Sequence, residues 1–149
     1  MKGFLAGFVC AFRGIVDSVR RGRNLRVELV MAVYALLLSA VTLTSPAQWG
    51  AVLAVIGLVL AAEIFNTALE ALCDKVEKGR CDQIRFVKDA AAGAVLVCAI
   101  AAAAIGCILF FGYGGGRLLS FCRAHIWYPI LLAVLAPPGL WFICRKPRD

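Results

Sequence analysis

Charge is scarce in this chain and unevenly spread. Asp, Glu, Lys and Arg make up 17% of the 149 residues against 62% hydrophobic ones, and from Leu29 to Ala62 there is no charged residue at all. That scarcity excludes an ordinary water-soluble domain, which at this size could not cover so much apolar surface, and uncharged runs of such length read as membrane spans. Histidine is nearly missing: the single His125 stands beside Trp127 and Tyr128, a neighbourhood that fits the aromatic belt of a membrane–water boundary better than catalysis. None of the seven cysteines, Cys10, Cys73, Cys81, Cys98, Cys107, Cys122 and Cys144, forms a C-x-x-C pair. They are expected to pack as small apolar groups rather than to hold a metal or a disulfide framework. Also absent are a Walker A loop, a G-x-G-x-x-G phosphate loop and a kinase catalytic-loop motif, which excludes the nucleotide sites of soluble kinases. Lys2 precedes an apolar stretch interrupted at Arg13, without the long core of a cleavable signal.

The charge that is present falls in clusters. Sixteen basic residues against nine acidic ones give a formal charge of +7. The basic residues gather between the apolar runs, as expected for contact with anionic lipid headgroups; no nucleic-acid motif accompanies them. Between Gly3 and Arg20, the residues Phe4, Leu5, Phe8, Phe12, Ile15, Val16 and Val19 recur at helical spacing, which predicts an amphipathic helix lying in the headgroup region. Arg20, Arg21, Arg23 and Arg26 form a basic knot. Leu29 to Ala62 reads as two helices joined by a turn at Thr44, Ser45, Pro46, Gln48 and Gly50, the second continuing to about Val76. A polar loop is expected from Asp74 to Asp89, then a third span from about Lys88 to Phe111, where Gly93 and Gly106 allow close helix approach. Gly112 to Gly116 reads as a flexible break. A fourth span is expected from His125 to Cys144, bent or interrupted at Pro137 and Pro138. The basic segments place both termini and the central loop on the cytoplasmic side of a multi-pass inner-membrane protein, with Arg117 and Arg123 anchoring the other face.

Within this apolar background, Glu63 and Glu70 stand in AEIFNTALEALCDKV, residues 62–76. A charge near the centre of a spanning helix costs roughly 2.5 kcal/mol or more, so such residues usually face a partner or a watery site. At about 100° per residue, Glu63, Asn66, Thr67, Glu70 and Asp74 share one stripe that could present oxygen ligands to a hard cation. Six of the nine acidic residues lie between Glu63 and Asp89, and Lys88 stands at the start of the third span. Carboxylates that gather Mg²⁺, with lysine for phosphate charge, are what phosphoryl transfer from a nucleotide requires. Plainer readings exist for each group. Glu63 could pair with a basic residue of another helix, Asp74, Glu77 and Asp82 could balance Lys75, Lys78 and Arg80, and Lys88 and Asp89 could be a snorkelling anchor and a helix N-cap. Intramembrane carboxylates also suit an ion or proton transporter, although no internal repeat is visible.

The segments Glu63-Ile-Phe-Asn-Thr-Ala-Leu-Glu70-Ala-Leu-Cys-Asp74 and Val87-Lys88-Asp89-Ala-Ala-Ala-Gly93-Ala-Val95 resemble the double signature of the prokaryotic diacylglycerol kinase family, small membrane kinases that include undecaprenol kinases. Gly14 and Arg23-Asn24-Leu25-Arg26 fit the same pattern, so the resemblance covers roughly residues 4–112. It implies an all-α integral membrane protein in which an amphipathic surface helix and a three-helix kinase core fill residues 1–114; the additional C-terminal transmembrane helix and basic tail expected over residues 115–149 are no part of what it implies. It further implies a homotrimer with sites shared between neighbouring subunits, ATP as donor, Mg²⁺ as cofactor and a membrane lipid alcohol as acceptor. Carried onto this chain, Glu63 resembles the general base and Glu70 the Mg²⁺ ligand. Asn66 resembles an orienting residue, and Lys88, Asp89 and Asp74 resemble the residues that handle the nucleotide.

Two departures stand out. The family commonly carries an acidic residue at the position of Gly22, where it helps to hold metal, and Glu28 is the acid nearby that could compensate. The fourth span lies beyond the three-span pattern, and a chain ending near Gly114 is expected to keep the site. The Lys-Asp-Ala-Ala-Ala-Gly segment leans towards the undecaprenol branch. A catalytically silent binding or assembly protein of the same fold is the main alternative to a kinase.

Overall fold

The computed structural model describes residues 2–76 and 81–145, and every regular element among them is helical. Helix α1 (Lys2–Arg21) is followed, after Gly22 alone, by α2 (Arg23–Thr42); α3 (Pro46–Val76) and α4 (Asp82–Gly106) follow. A π-helical segment, Cys107–Tyr113, continues α4, and α5 (Gly115–Ala124) and α6 (Trp127–Cys144) follow. Four stretches are long and apolar enough to cross a membrane: Arg23–Thr42, Pro46–Val76, Asp82–Tyr113 and Trp127–Cys144. Helix α1 is not among them. Its Phe4, Phe8 and Phe12 remain exposed on one side, as an interfacial helix requires.

Local chemistry sets the hairpin between α2 and α3. Ser45 Oγ accepts from the Ala47 amide at 3.2 Å, and Gln48 Oε1 accepts from the amides of Thr44 and Ser45, also at 3.2 Å. This is a capping box with proline at the first helical position: the start of α3 has its free donors answered by its own first turn. Close by, Leu43, Val52 and Leu109 are buried together against Trp49, Ile56, Ile105 and Phe110. Helix α3 packs most extensively along α4 and also touches α1 and α2. At 1.5 Å per residue the uncharged run from Pro46 to Ala62 is about 25 Å long, close to the roughly 30 Å of a bilayer's hydrocarbon, so Glu63 stands where α3 leaves the apolar layer.

Several expectations need correction. The third span starts at Asp82, two turns before Lys88, so Arg85, Lys88 and Asp89 are helical and Asp89 is no N-cap. No glycine or proline interrupts residues 82–92, and Asp82 in the first turn favours the helix dipole. The polar tract therefore prolongs the helix beyond the lipid instead of looping. Gly112 to Gly116 is also mostly helical, with a single bend at Gly114. A Cβ on Gly114 would stand 2.6 Å from Thr42 Cβ; the glycine there permits a close approach to α2. The segment between that expected break and the fourth span is α5. Helix α6 runs through Pro137 and Pro138 without the interruption that is one of the two outcomes expected there. Glu77, Lys78 and Arg80, and the tail basics Lys146 and Arg148, lie outside the described residues.

Candidate active site

Steps of four, three and four residues along α3 bring Glu63, Thr67, Glu70 and Asp74 to one wall of a pocket of about 470 Å³, together with Ala71 and Lys75. The facing wall is the corner between α1 and α2: Arg21, Gly22, Arg23 and Asn24. Acidic groups thus confront two guanidinium groups across a cleft that is buried at Glu63 and open at its mouth. Glu63 is 2% exposed, whereas Glu70 and Asp74 are exposed.

The corner is tight. The Gly22 amide donates to Ser18 O at 2.7 Å, and a Cβ on Gly22 would lie 3.0 Å from Ser18 O and 3.4 Å from Thr67 Oγ1. The acidic side chain expected at this position from the resemblance is absent, and its place is taken by a close contact between the corner and α3.

Among the described residues, three buried oxygens have no hydrogen-bond partner: Glu63 Oε2, Asn66 Oδ1 and Glu28 Oε2. Asn66 Nδ2 donates to Glu70 Oε1 at 3.3 Å, joining two of the predicted site residues. Asn24 lines the opposite wall from Glu63, and Glu63 has like-charged neighbours in Glu70 on its own helix and Glu28 on α2. Glu28, however, does not line the pocket. It lines a separate groove of about 420 Å³ with Met31, Val59, Ala103 and Phe110, among other apolar residues. Lys88 comes from α4 and donates to Asp74 Oδ1 at 2.8 Å, closing the far side of the acidic wall. Asp89 is exposed and lies off the pocket.

Whether Mg²⁺ suits these residues can be judged from the donors. Among the described residues no three Asp, Glu, His or Cys side chains converge on one point, so an all-protein cage is not built. Mg²⁺ usually takes one or two carboxylates and completes its shell with phosphate oxygens and water. Glu70 on the open wall, with unpartnered buried oxygens beside it, fits that kind of shared site.

The sequence pattern of the prokaryotic diacylglycerol kinases matches residues 9–110. The chain belongs to that family. An undecaprenol kinase of Bacillus subtilis (strain 168) is 33% identical over 110 residues, covering 74% of this chain and 89% of the relative. A diacylglycerol kinase of Synechocystis sp. (strain ATCC 27184 / PCC 6803 / Kazusa) is 38% identical over 108 residues, 70% of this chain and 61% of the relative. No solved structure gives a significant match. The protein is therefore a multi-pass membrane member of a lipid-kinase family, and the matched residues contain the whole pocket. Helices α5 and α6 lie outside the match.

Sequence reasoning found the α3 stripe and missed the wall that faces it. Arg21, Arg23 and Asn24 read as part of a basic knot and a surface-helix pattern. The one signal that separates Asn24 is its place as an uncharged polar residue between two arginines, directly before buried Leu25.

Proposed function

We propose that this chain is an ATP-dependent lipid kinase that transfers the γ-phosphoryl group of MgATP to the hydroxyl of undecaprenol or diacylglycerol. The observation that carries the reading is the pocket itself: an acidic wall facing an arginine wall, at the level where apolar helices leave the lipid. A water-borne nucleotide and a lipid headgroup can both reach that level.

Glu63 accepts the proton of the lipid hydroxyl as its oxygen bonds to the γ-phosphorus, and the bond from that phosphorus to the β–γ bridging oxygen breaks to release ADP. The proton then passes from Glu63 to water. Its Oε2, without a partner among the described residues, leaves an acceptor free for this task, and Asn24 faces it from across the pocket. Asn66 steadies Glu70. Arg21, Arg23 and Lys75 supply positive charge for phosphate oxygens, and Lys88, held by Asp74, adds to it; Asp89, next to Lys88 but exposed and off the pocket, is left to the part of the nucleotide that extends beyond it. Mg²⁺, when bound, neutralises phosphate charge. Glu70 is the ligand that faces the pocket, and Glu28 is the acid that backs Glu63.

The same reading takes the site to be cytoplasmic, in the inner membrane, with α1 resting on anionic headgroups and the protein working as a homotrimer. The two relatives are named for different lipids, and the Lys-Asp-Ala-Ala-Ala-Gly segment favours undecaprenol. Transfer of radiolabelled phosphate from ATP to undecaprenol and to diacylglycerol in mixed micelles tests the proposal. Labelled lipid with Mg²⁺ present supports it. An ATPase indifferent to lipid, or no turnover at all, points instead to a transporter or to a silent member of the fold.

A further inference from the structure

Helix α6 lies antiparallel along α2 and is fastened to it at several levels. Tyr128 Oη donates to Leu37 O at 2.7 Å and Tyr34 Oη to Leu132 O at 3.0 Å. Gly139 lies so close to Val30 that a Cβ would stand 3.2 Å from Val30 Cγ1. At the far end of α6 the fastening is a pair of charge-assisted hydrogen bonds. Arg26, only 4% exposed, donates from Nη1 to Phe142 O at 3.2 Å and to Arg145 O. Phe142 is in the last turn of α6 and Arg145 is its C-cap, the end at which a helix presents its outward carbonyls and the negative end of its dipole.

The same guanidinium has a second attachment. Its Nε donates to Gly22 O at 3.3 Å. Gly22 is the corner of the pocket, packed against Thr67 of α3 and flanked by Arg21, Arg23 and Asn24 of the pocket wall. One buried side chain therefore bridges the end of the added helix and the corner that carries the pocket's arginines.

From this bridge we infer that Arg26 is a positioning residue through which α6 sets the nucleotide-facing wall of the pocket. Withdrawing α6 leaves a buried cation short of its carbonyl partners, an arrangement that is costly to retain. The corner must then shift, and Arg21 and Arg23 move with it. Helix α6 becomes part of the site's support although it lies outside the family match. The kinetic consequence rests on the lipid-kinase reading; the structural link between α6 and the corner does not.

The test uses the full chain in detergent with Arg26→Gln, with Gly139→Ile, which wedges α6 away from Val30 without touching Arg26, and with both together. Each single variant is expected to raise KM for MgATP about tenfold, the scale of a lost hydrogen bond to a charged group, while KM for the lipid alcohol stays unchanged. The double variant is expected to be no worse than the weaker single one, because both substitutions break one link. Hydrogen exchange at amides 22–26 should quicken in every variant. A lower yield or Tm with KM for MgATP unaltered would overturn the inference, as would fully additive effects. If these variants do not assemble, Arg26→Lys, which keeps the charge but cannot span both attachments, is expected to raise KM for MgATP part-way, and an unchanged value overturns the inference. If the unaltered protein phosphorylates no lipid alcohol, the lipid-kinase reading fails by itself. Exchange at 22–26 in Gly139→Ile then decides the link alone: quickened exchange supports it and unaltered exchange refutes it.

Discussion

From Pro46 to Ala62, α3 carries no charge and closes its own N-terminus with Ser45 and Gln48; from Glu63 to Val76 the same helix carries Glu63, Glu70, Asp74 and Lys75. In the first half, polar groups are answered within a turn. In the second, Glu63 Oε2 and Asn66 Oδ1 are buried and unanswered. Buried polar atoms are rarely left so in a native protein without a ligand, water or functional role. The contrast within one continuous helix separates residues that build the protein from residues kept for something that binds it.

The sharpest way to break this contrast is at Glu63. Glutamine keeps the size of the side chain but cannot take the hydroxyl proton, a role typically contributing about 10² to 10⁴ in rate. Glu63→Gln is expected to lower lipid phosphorylation by at least that order, with MgATP affinity little changed, as read by turnover and nucleotide binding on one preparation. Near-normal turnover would remove Glu63 from the mechanism, and an equal loss of nucleotide binding would recast it as a metal ligand.

Glu70→Ala comes next. Disturbing even the outer partners of a bound metal commonly costs about 10-fold or more in metal affinity or activity, so the Mg²⁺ concentration for half-maximal turnover should rise at least that much while the protein remains assembled in detergent. An unchanged Mg²⁺ titration assigns Glu70 a structural role.

A smaller effect is expected at Asp74, whose partner Lys88 is 2.8 Å away and whose own side chain is 69% exposed. Exposed pairs of this kind are weak, and Asp74→Asn should change KM for MgATP by less than about fivefold. A larger loss would make Asp74 a direct nucleotide contact instead of a tether for Lys88.

At the other end of α3 the comparison predicts no catalytic effect. Gln48→Ala removes the acceptor for two amides, and should cost about 1 kcal/mol of stability, as lost caps typically do, with KM for MgATP and the lipid alcohol unchanged. Altered kinetics at Gln48 would show that the two ends of α3 are not independent.

Much of this arrangement is legible in the residues themselves. The spacing of Glu63, Thr67, Glu70 and Asp74 puts them on one face before any coordinates are known, whereas the turn expected through Gly50 ends earlier, with α3 already begun at Pro46. The early start of α4 was not legible, because a polar helix end and a polar loop share a composition; only the absence of glycine and proline from 82 to 92 hinted at it. Gly114 carried the opposite ambiguity, since glycine serves flexibility and close packing alike, and its contact with Thr42 selects the second.

By itself, then, the sequence determined the membrane spans, the interfacial helix and the acidic stripe, because each follows from hydrophobic period and charge within a few turns of chain. Tertiary structure alone decided that Arg21, Arg23 and Asn24 face that stripe, that Glu28 opens onto a neighbouring groove, and that Arg26 joins Gly22 to carbonyls 116 and 119 residues away. The reason is physical. Periodicity says which side of a helix must leave the lipid, whereas the identity of its partner depends on how helices distant in sequence settle against one another.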